Sequence, residues 1–377
     1  MIHRCRTLTI AFAIAASAVA CSRSDSLETT SSKVRIEHLA KLDNPWGMAF
    51  LPDGRLLITE KPGRLRIYAD RKLSEPIAGV PLVAYGGQGG LLDVEIDPEF
   101  ASNGLVYLSY AEPESQPAGG KEVLLGTAVG RGRLEGNALR DFTVIWRQVP
   151  KMTGLGHFGG RLVFAPDGKL FITSGERMKF TPAQMLDTNL GKVVRLNPDG
   201  SLPSDNQALT KGEGLPEIWT RGHRNPLGAA INPASGELWI NEMGPKGGDE
   251  LNVIEAGRNY GWPLVCDGDN YDDTPIPDHR TQPSLAAPAR SWNPSISPSG
   301  LAFYTGDLFP AWRGNVFIGG LSSNALIRLS LEGRKVTGEE RIDMNRRIRD
   351  VIQAPDGALL LLTDGKDGEL LRLTPQS

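Results

Sequence analysis

Short apolar runs separated by turn residues fill most of the chain, and no segment keeps a helical period long enough to compete with them. The clearest unit is an apolar strand, a Pro-Asp-Gly turn and a second apolar strand. It occurs from Trp46 to Thr59, from Arg161 to Thr173 and from Asp350 to Thr363. Weaker copies run from Leu92 to Tyr110, from Ala229 to Glu242 and from Leu301 to Gly319, which makes six. In each Pro-Asp-Gly, proline presets φ, aspartate bonds its own backbone and glycine accepts positive φ. Third strands follow several copies, at Arg64–Tyr68, Ala325–Ser330 and Glu369–Thr374. Six such units are best closed as a ring, because radial repetition leaves few open sheet edges. The pattern predicts an all-β fold, a six-bladed β-propeller of four-stranded antiparallel blades. Val34–Leu39 is placed to pair with the last blade and lock the circle.

The first residues break this pattern. Arg4 and Arg6 precede an apolar stretch from Leu8 to Ala20, too short to span a bilayer and of the length of a signal-peptide core. Ala18-Val19-Ala20-Cys21 is similar to a bacterial lipobox, with alanine where leucine is usual. The expected division is a signal peptide over 1–20, a polar tether lipidated at Cys21 over 21–32, and the propeller over 33–377. This predicts a protein of the bacterial cell envelope, on the periplasmic side, lipid-anchored and at the outer membrane in preference to the inner. With Cys5 removed and Cys21 lipidated, Cys266 is alone, so no internal disulfide is expected.

The 377 residues are 40% hydrophobic and carry a net charge of −3 without long runs of one sign, which leaves no footprint for nucleic acid. Contact with a membrane is expected only through the anchor. Phosphate-loop, zinc-protease and nucleophile-elbow motifs are absent.

Candidate chemistry gathers where inner strands begin. His157 stands just ahead of the third copy, as a general base or as a histidine bonding a loop. Gln88 lies within Gly86-Gly87-Gln88-Gly89-Gly90, where small neighbours admit a flat ligand or make a flexible turn. Arg224 and Asn225 precede Pro226; a guanidinium there serves a carboxylate or a developing oxyanion, or a structural ion pair. Arg347 and Arg349 share one face by alternation and suit a polyanion or a solvated surface. Gly244 and Pro245 offer stiff carbonyls to a hard cation, and Glu250 with the Tyr260 carbonyl offers a second such site, unless Asp249-Glu250 is surface charge. The long Pro- and Asp-rich stretch Val265–Ser297 is expected to roof the channel.

Taken in order, GGQGGLLDVEIDP, HFGGRLVFAPDGKLFITSGER, LGKVVRLNPDGSLPSDN, IWTRGHRNPLG, NEMGPKGGDELNVIEAGRNYGWP and RIRDVIQAPDG resemble the soluble PQQ-dependent sugar dehydrogenases, in particular the aldose sugar dehydrogenases. The resemblance covers nearly the whole mature chain. It implies pyrroloquinoline quinone (PQQ) held over the channel beside Ca²⁺, with an aldose or related aldehyde as substrate and a further electron acceptor. His157 matches the family's general base for oxidation at the anomeric carbon to a lactone. Arg224 matches the group that stabilises charge on the quinone oxygen. Gln88, Asn225, Tyr271, Arg347 and Arg349 match cofactor contacts, and Gly319 and Gly320 fall near one. Gly244 and Pro245 match carbonyl donors to the cofactor's calcium, Glu250 and Tyr260 a separate calcium site. Glucose-type members carry aspartate where Gly156 stands, a cofactor lysine at the place given to Thr305, and aspartate at Glu176. Those departures point to the broader aldose branch and admit sorbosone-type aldehydes. A gluconolactonase-like metal-dependent hydrolase and a non-catalytic envelope scaffold are the other classes a lipobox and a propeller allow.

Overall fold

The computed structural model describes residues 24–114, 123–206 and 211–376. The expected leader over 1–20 and Cys21 lie outside the described residues. Six antiparallel sheets follow one another around a central channel, as the repeats predict. Their inner strands are Pro45–Phe50, Leu91–Ile96, Gly159–Phe164, Pro226–Ile231, Pro298–Phe303 and Ile348–Gln353. The only α-helix among the described residues is the single turn Phe100–Asn103.

Lys33–Leu42 pairs with Gly368–Pro375 and so completes the last blade from the other end of the chain, the closure expected of Val34–Leu39. The ring closes without covalent help. The reading of 21–32 as a bare tether needs correction: Ser24–Glu28 is a strand that adds a fifth member to this sheet, with Glu28 opposite Lys33. Its polar residues concealed it, since edge pairing satisfies backbone groups and needs little apolar surface. Leu27 packs on the cluster between blades five and six, and Ser31 accepts a hydrogen bond from the Trp312 indole at 2.9 Å. The stretch Val265–Ser297 is likewise more than a roof. Arg290–Trp292 forms the outer strand of blade four, and Gly268–Asp269 pairs with Lys246–Gly247.

Second strands such as Leu56–Glu60, Leu170–Ser174 and Leu359–Thr363 are buried at every position. Each blade is covered on both faces, which is why these strands read as continuous apolar runs rather than alternating ones. One apolar cluster fills each of the six blade interfaces. The heaviest, between blades five and six, stacks Phe309 on Trp312 at 3.8 Å between centroids.

All six inner strands shift register near their first residues, at the channel mouth. Just inside it, Arg161 of blade three bridges Asp93 of blade two (2.9 Å) and Asp350 of blade six (3.2 Å). Glycine is required opposite. A Cβ at Gly47 would come within 2.4 Å of Asp93 Oδ1, and one at Gly300 within 2.1 Å of Asp350 Oδ1. Burial, only partly offset by Arg161, pushes the Asp93 carboxyl up to about 7. Charge thus plugs the channel and closes the floor of the mouth.

Candidate active site

Above this plug lies a cavity of about 310 Å³. Its apolar lining includes Trp46, Phe158, Leu227 and Met243, the first three drawn from a seventh buried cluster. Arg161 supports the floor from beneath, with its guanidinium carbon 4.4 Å from the Trp46 ring centroid.

One wall is cationic. Arg347 and Arg349 line the cavity as their shared face predicts, and both bind Asp364, at 2.8 and 2.7 Å. Lys61, from blade one, was missed by the sequence reading. It lines the same wall and donates to Gly87 O at 2.7 Å. Burial, then the nearby Arg349, lowers its pKa. Three cations face one carboxylate, so this wall carries excess positive charge. A lysine after a surface-like Thr-Glu gave no signal; only ring closure sets blade one against blade six.

Gln88, Phe158 and Gly159 line the cavity around His157, whose own side chain is not among the lining residues, nor are those of Arg224, Asn225 and Tyr271. Gln88 Oε1 accepts from His157 N (2.8 Å) and from Asn225 Nδ2 (3.3 Å), and Asn225 Oδ1 accepts from Gly159 N (3.2 Å). Three inner-strand starts are therefore tied around one amide. His157 Nδ1 lies 2.5 Å from Glu176 Oε1, and Glu176 Oε2 accepts from the backbone N–H groups of Lys179 and Phe180. Burial alone would raise the Glu176 pKa, but the His157 bond, its charge and these contacts lower it. An ionised carboxylate only accepts, so Nδ1 carries the proton and Nε2 is left with a free lone pair. Burial lowers the His157 pKa; Glu176 opposes and Arg224 adds to the lowering. The imidazole is neutral at neutral pH.

Arg224 is brought to the same place. Its carbonyl accepts from Glu176 N (2.9 Å), and its own N–H donates to Glu242 Oε2 (2.6 Å). Nη1 donates to Gly244 O (2.7 Å) and Met243 O (3.0 Å), while Nη2 meets the Tyr271 hydroxyl at 3.2 Å. Nε is buried without a hydrogen-bond partner. Tyr271 itself is 67% exposed and reaches Arg224 from the Val265–Ser297 stretch, with the guanidinium carbon 5.7 Å from its ring centroid.

Other predicted residues fall elsewhere. Gly319 and Gly320 do not line the cavity; they sit on the second strand of blade five, where Gly319 is closed in by Ser299 and Ile348. Ser297 and Leu321 line it instead. Thr305 does not line the cavity either. It bonds Gln353 and lines a separate groove with Arg313 and Arg334. Asp249 and Glu250 are buried rather than surface charge. Glu250 is held by His279 (2.9 Å) and Asn252 (3.0 Å), and the Tyr260 hydroxyl donates to Val253 O (2.6 Å).

A flat polycarboxylate fits this cavity: an aromatic and apolar floor and an excess of cations on one wall, with the unpartnered Arg224 Nε buried nearby. Calcium fits less completely. Among the described residues no trio of His, Cys, Asp or Glu could hold a metal, and Gly244 O already accepts from Arg224. A hard cation takes six to eight oxygens, so one at Gly244 and Pro245 needs further oxygen donors beyond those two carbonyls.

Comparison with known proteins places the geometry. The family described as glucose / sorbosone dehydrogenase matches residues 42–372. Aldose sugar dehydrogenase YliI of Escherichia coli is 45% identical, over 94% of this chain and 96% of its own. A solved glucose dehydrogenase superposes with a TM-score of 0.86 at 50% identity, covering 91% of this chain and 99% of that one. The PQQ-bound aldose sugar dehydrogenase of Streptomyces coelicolor superposes at 0.72 with 26% identity, covering 92% and 99%. With the six-bladed ring and the charged cavity at its mouth, these matches establish that the chain belongs to the glucose/sorbosone dehydrogenase family.

Proposed function

We propose that this protein oxidises aldose sugars at the anomeric carbon to lactones, using PQQ in the cavity at the channel mouth. The observation that carries the reading is a neutral imidazole, held by Glu176 and tied through its backbone N–H to the cavity residue Gln88, next to a cavity lined by Lys61, Arg347 and Arg349. Those three cations hold the carboxylates, and the Trp46 and Phe158 side of the cavity receives the flat rings. When bound, the quinone accepts the hydride of the anomeric C–H bond. His157 Nε2 takes the proton of the anomeric hydroxyl, and Glu176 stabilises the imidazolium that results. Arg224 presents positive charge where oxyanion character develops. Tyr271 and the surrounding stretch limit water and sugar size.

Calcium belongs to this reading through the Gly244 and Pro245 carbonyls, with Glu250 and the Tyr260 carbonyl as a second place for it. The decisive experiment reconstitutes purified apoprotein with PQQ, with and without Ca²⁺, and follows dye reduction over a panel of aldoses and aldehydes. No quinone-dependent reduction with any of them would sink the proposal. His157→Ala is expected to bind PQQ normally and to lose about 10²- to 10⁴-fold in kcat. The lipobox supports a lipid anchor on Cys21, tested by fatty-acid labelling that Cys21→Ser should abolish.

A further inference from the structure

Arg177 is buried beside His157, and the neighbouring Glu176 acts on its charge without pairing with it. It is 1% exposed, and among the described residues it forms no ion pair. Its guanidinium is spent on the backbone instead. Nε donates to Gly156 O (2.8 Å), Nη1 to Leu125 O (2.6 Å) and Nη2 to Gly154 O. The guanidinium carbon lies 3.8 Å from the centroid of the Phe158 ring. Arg177 N also donates to His157 O at 3.2 Å.

These contacts enclose the base on both sides. Gly154 and Gly156 precede His157, Phe158 follows it, and Leu125 belongs to the third strand of blade two. The turn needs such a grip. His157 has φ +52°, Arg177 +59° and Met178 +57°, a left-handed conformation that non-glycine residues keep only where the surroundings over-determine it. Glu176 secures the imidazole ring and its neighbour Arg177 secures the backbone that carries it. A guanidinium suits this work because its donors reach separate carbonyls in a rigid fork, which a lysine ammonium cannot do.

We propose that Arg177 is a positioning residue for the reaction, fixing the backbone of the 154–158 turn so that Nε2 of His157 faces the cavity. This rests on the reading of His157 as the base. The charged groups acting on the imidazole are Glu176, Arg224 and Arg177 itself, with neutral Gln88 on its backbone.

The test compares Arg177→Met, Arg177→Lys and His157→Ala as full-length, reconstituted enzymes. Arg177→Met should lower kcat at least about tenfold, with sugar KM and PQQ affinity within about threefold. Removing the charge should also move the acid limb of kcat/KM to higher pH, because Arg177 depresses the imidazole pKa. Arg177→Lys retains the charge, so its limb should stay in place while kcat remains low. The inference is overturned by a kcat within twofold of wild type in Arg177→Met while His157→Ala is impaired. It is also overturned if both variants lose PQQ binding and thermal stability in step with kcat, which is a purely structural effect. Full turnover in His157→Ala overturns the base assignment itself, and this inference with it.

Discussion

Replacing Glu176 by glutamine tests the electrostatics of the site with a change of almost no volume. Glu176 Oε2 accepts two backbone N–H groups, from Lys179 and Phe180, and Oε1 faces His157 Nδ1 at 2.5 Å. An amide has one accepting atom, and the two N–H donors claim it. The NH₂ then points at Nδ1, which must become the acceptor, and the proton moves to Nε2. His157 is left in the tautomer that cannot accept the proton at Nε2 that the proposed reaction requires. A charge-assisted hydrogen bond is worth about 1.5–3 kcal/mol, or about 10- to 150-fold in rate. The tautomer penalty adds to it, and in a serine protease the analogous change costs about 10⁴-fold. The expected loss in Glu176→Gln is therefore about 10³-fold in kcat at neutral pH, with PQQ affinity unchanged in titrations of the apoprotein. Glu176 raises the His157 pKa against burial, so its removal should also carry the acid limb of kcat/KM further below the ordinary histidine value of about 6.5. A kcat within about threefold of wild type, or an acid limb displaced upward, would refute the argument.

Lys61→Met should weaken PQQ binding about 10- to 100-fold, the worth of one charged hydrogen bond, and reduce its salt dependence; isothermal titration of apoprotein measures both. Arg161→Met strands the Asp93 and Asp350 carboxylates and should cost about 3–5 kcal/mol in urea unfolding. Because burial raises both carboxyl pKa values, the folded state binds these protons more tightly than the unfolded chain. Arg161 holds both values below what burial alone would give, so the cost of removing it should be smallest where both carboxyls are protonated and grow as pH rises through about 7; a pH-independent cost would contradict this. Trp312→Ala, which removes a fully buried ring stacked on Phe309, should cost about 3–5 kcal/mol by the same measurement without altering PQQ affinity. Chelation by EGTA should abolish reconstitution if calcium sits at Gly244 and Pro245, and added Ca²⁺ should restore it.

The strand–turn–strand unit determined the ring, because turn chemistry and short apolar runs are local and each blade restates them, three with Pro-Asp-Gly and three more weakly. The same locality put His157, Arg224, Arg347 and Arg349 at strand starts, and so at one mouth once the ring closes. Charge that depends on neighbours from other blades was not legible. Lys61 joins the arginines only because blade one lies against blade six, and Arg161 is a channel plug only because Asp93 and Asp350 reach it from two other blades. Ser24–Glu28 looked like a tether because edge pairing leaves no apolar period to read. Gly319 and Gly320 sit behind Ser299 rather than at the cavity, a matter of one strand's depth in a blade. Sequence spacing sets which residues begin a strand; packing between blades decides which of them meet.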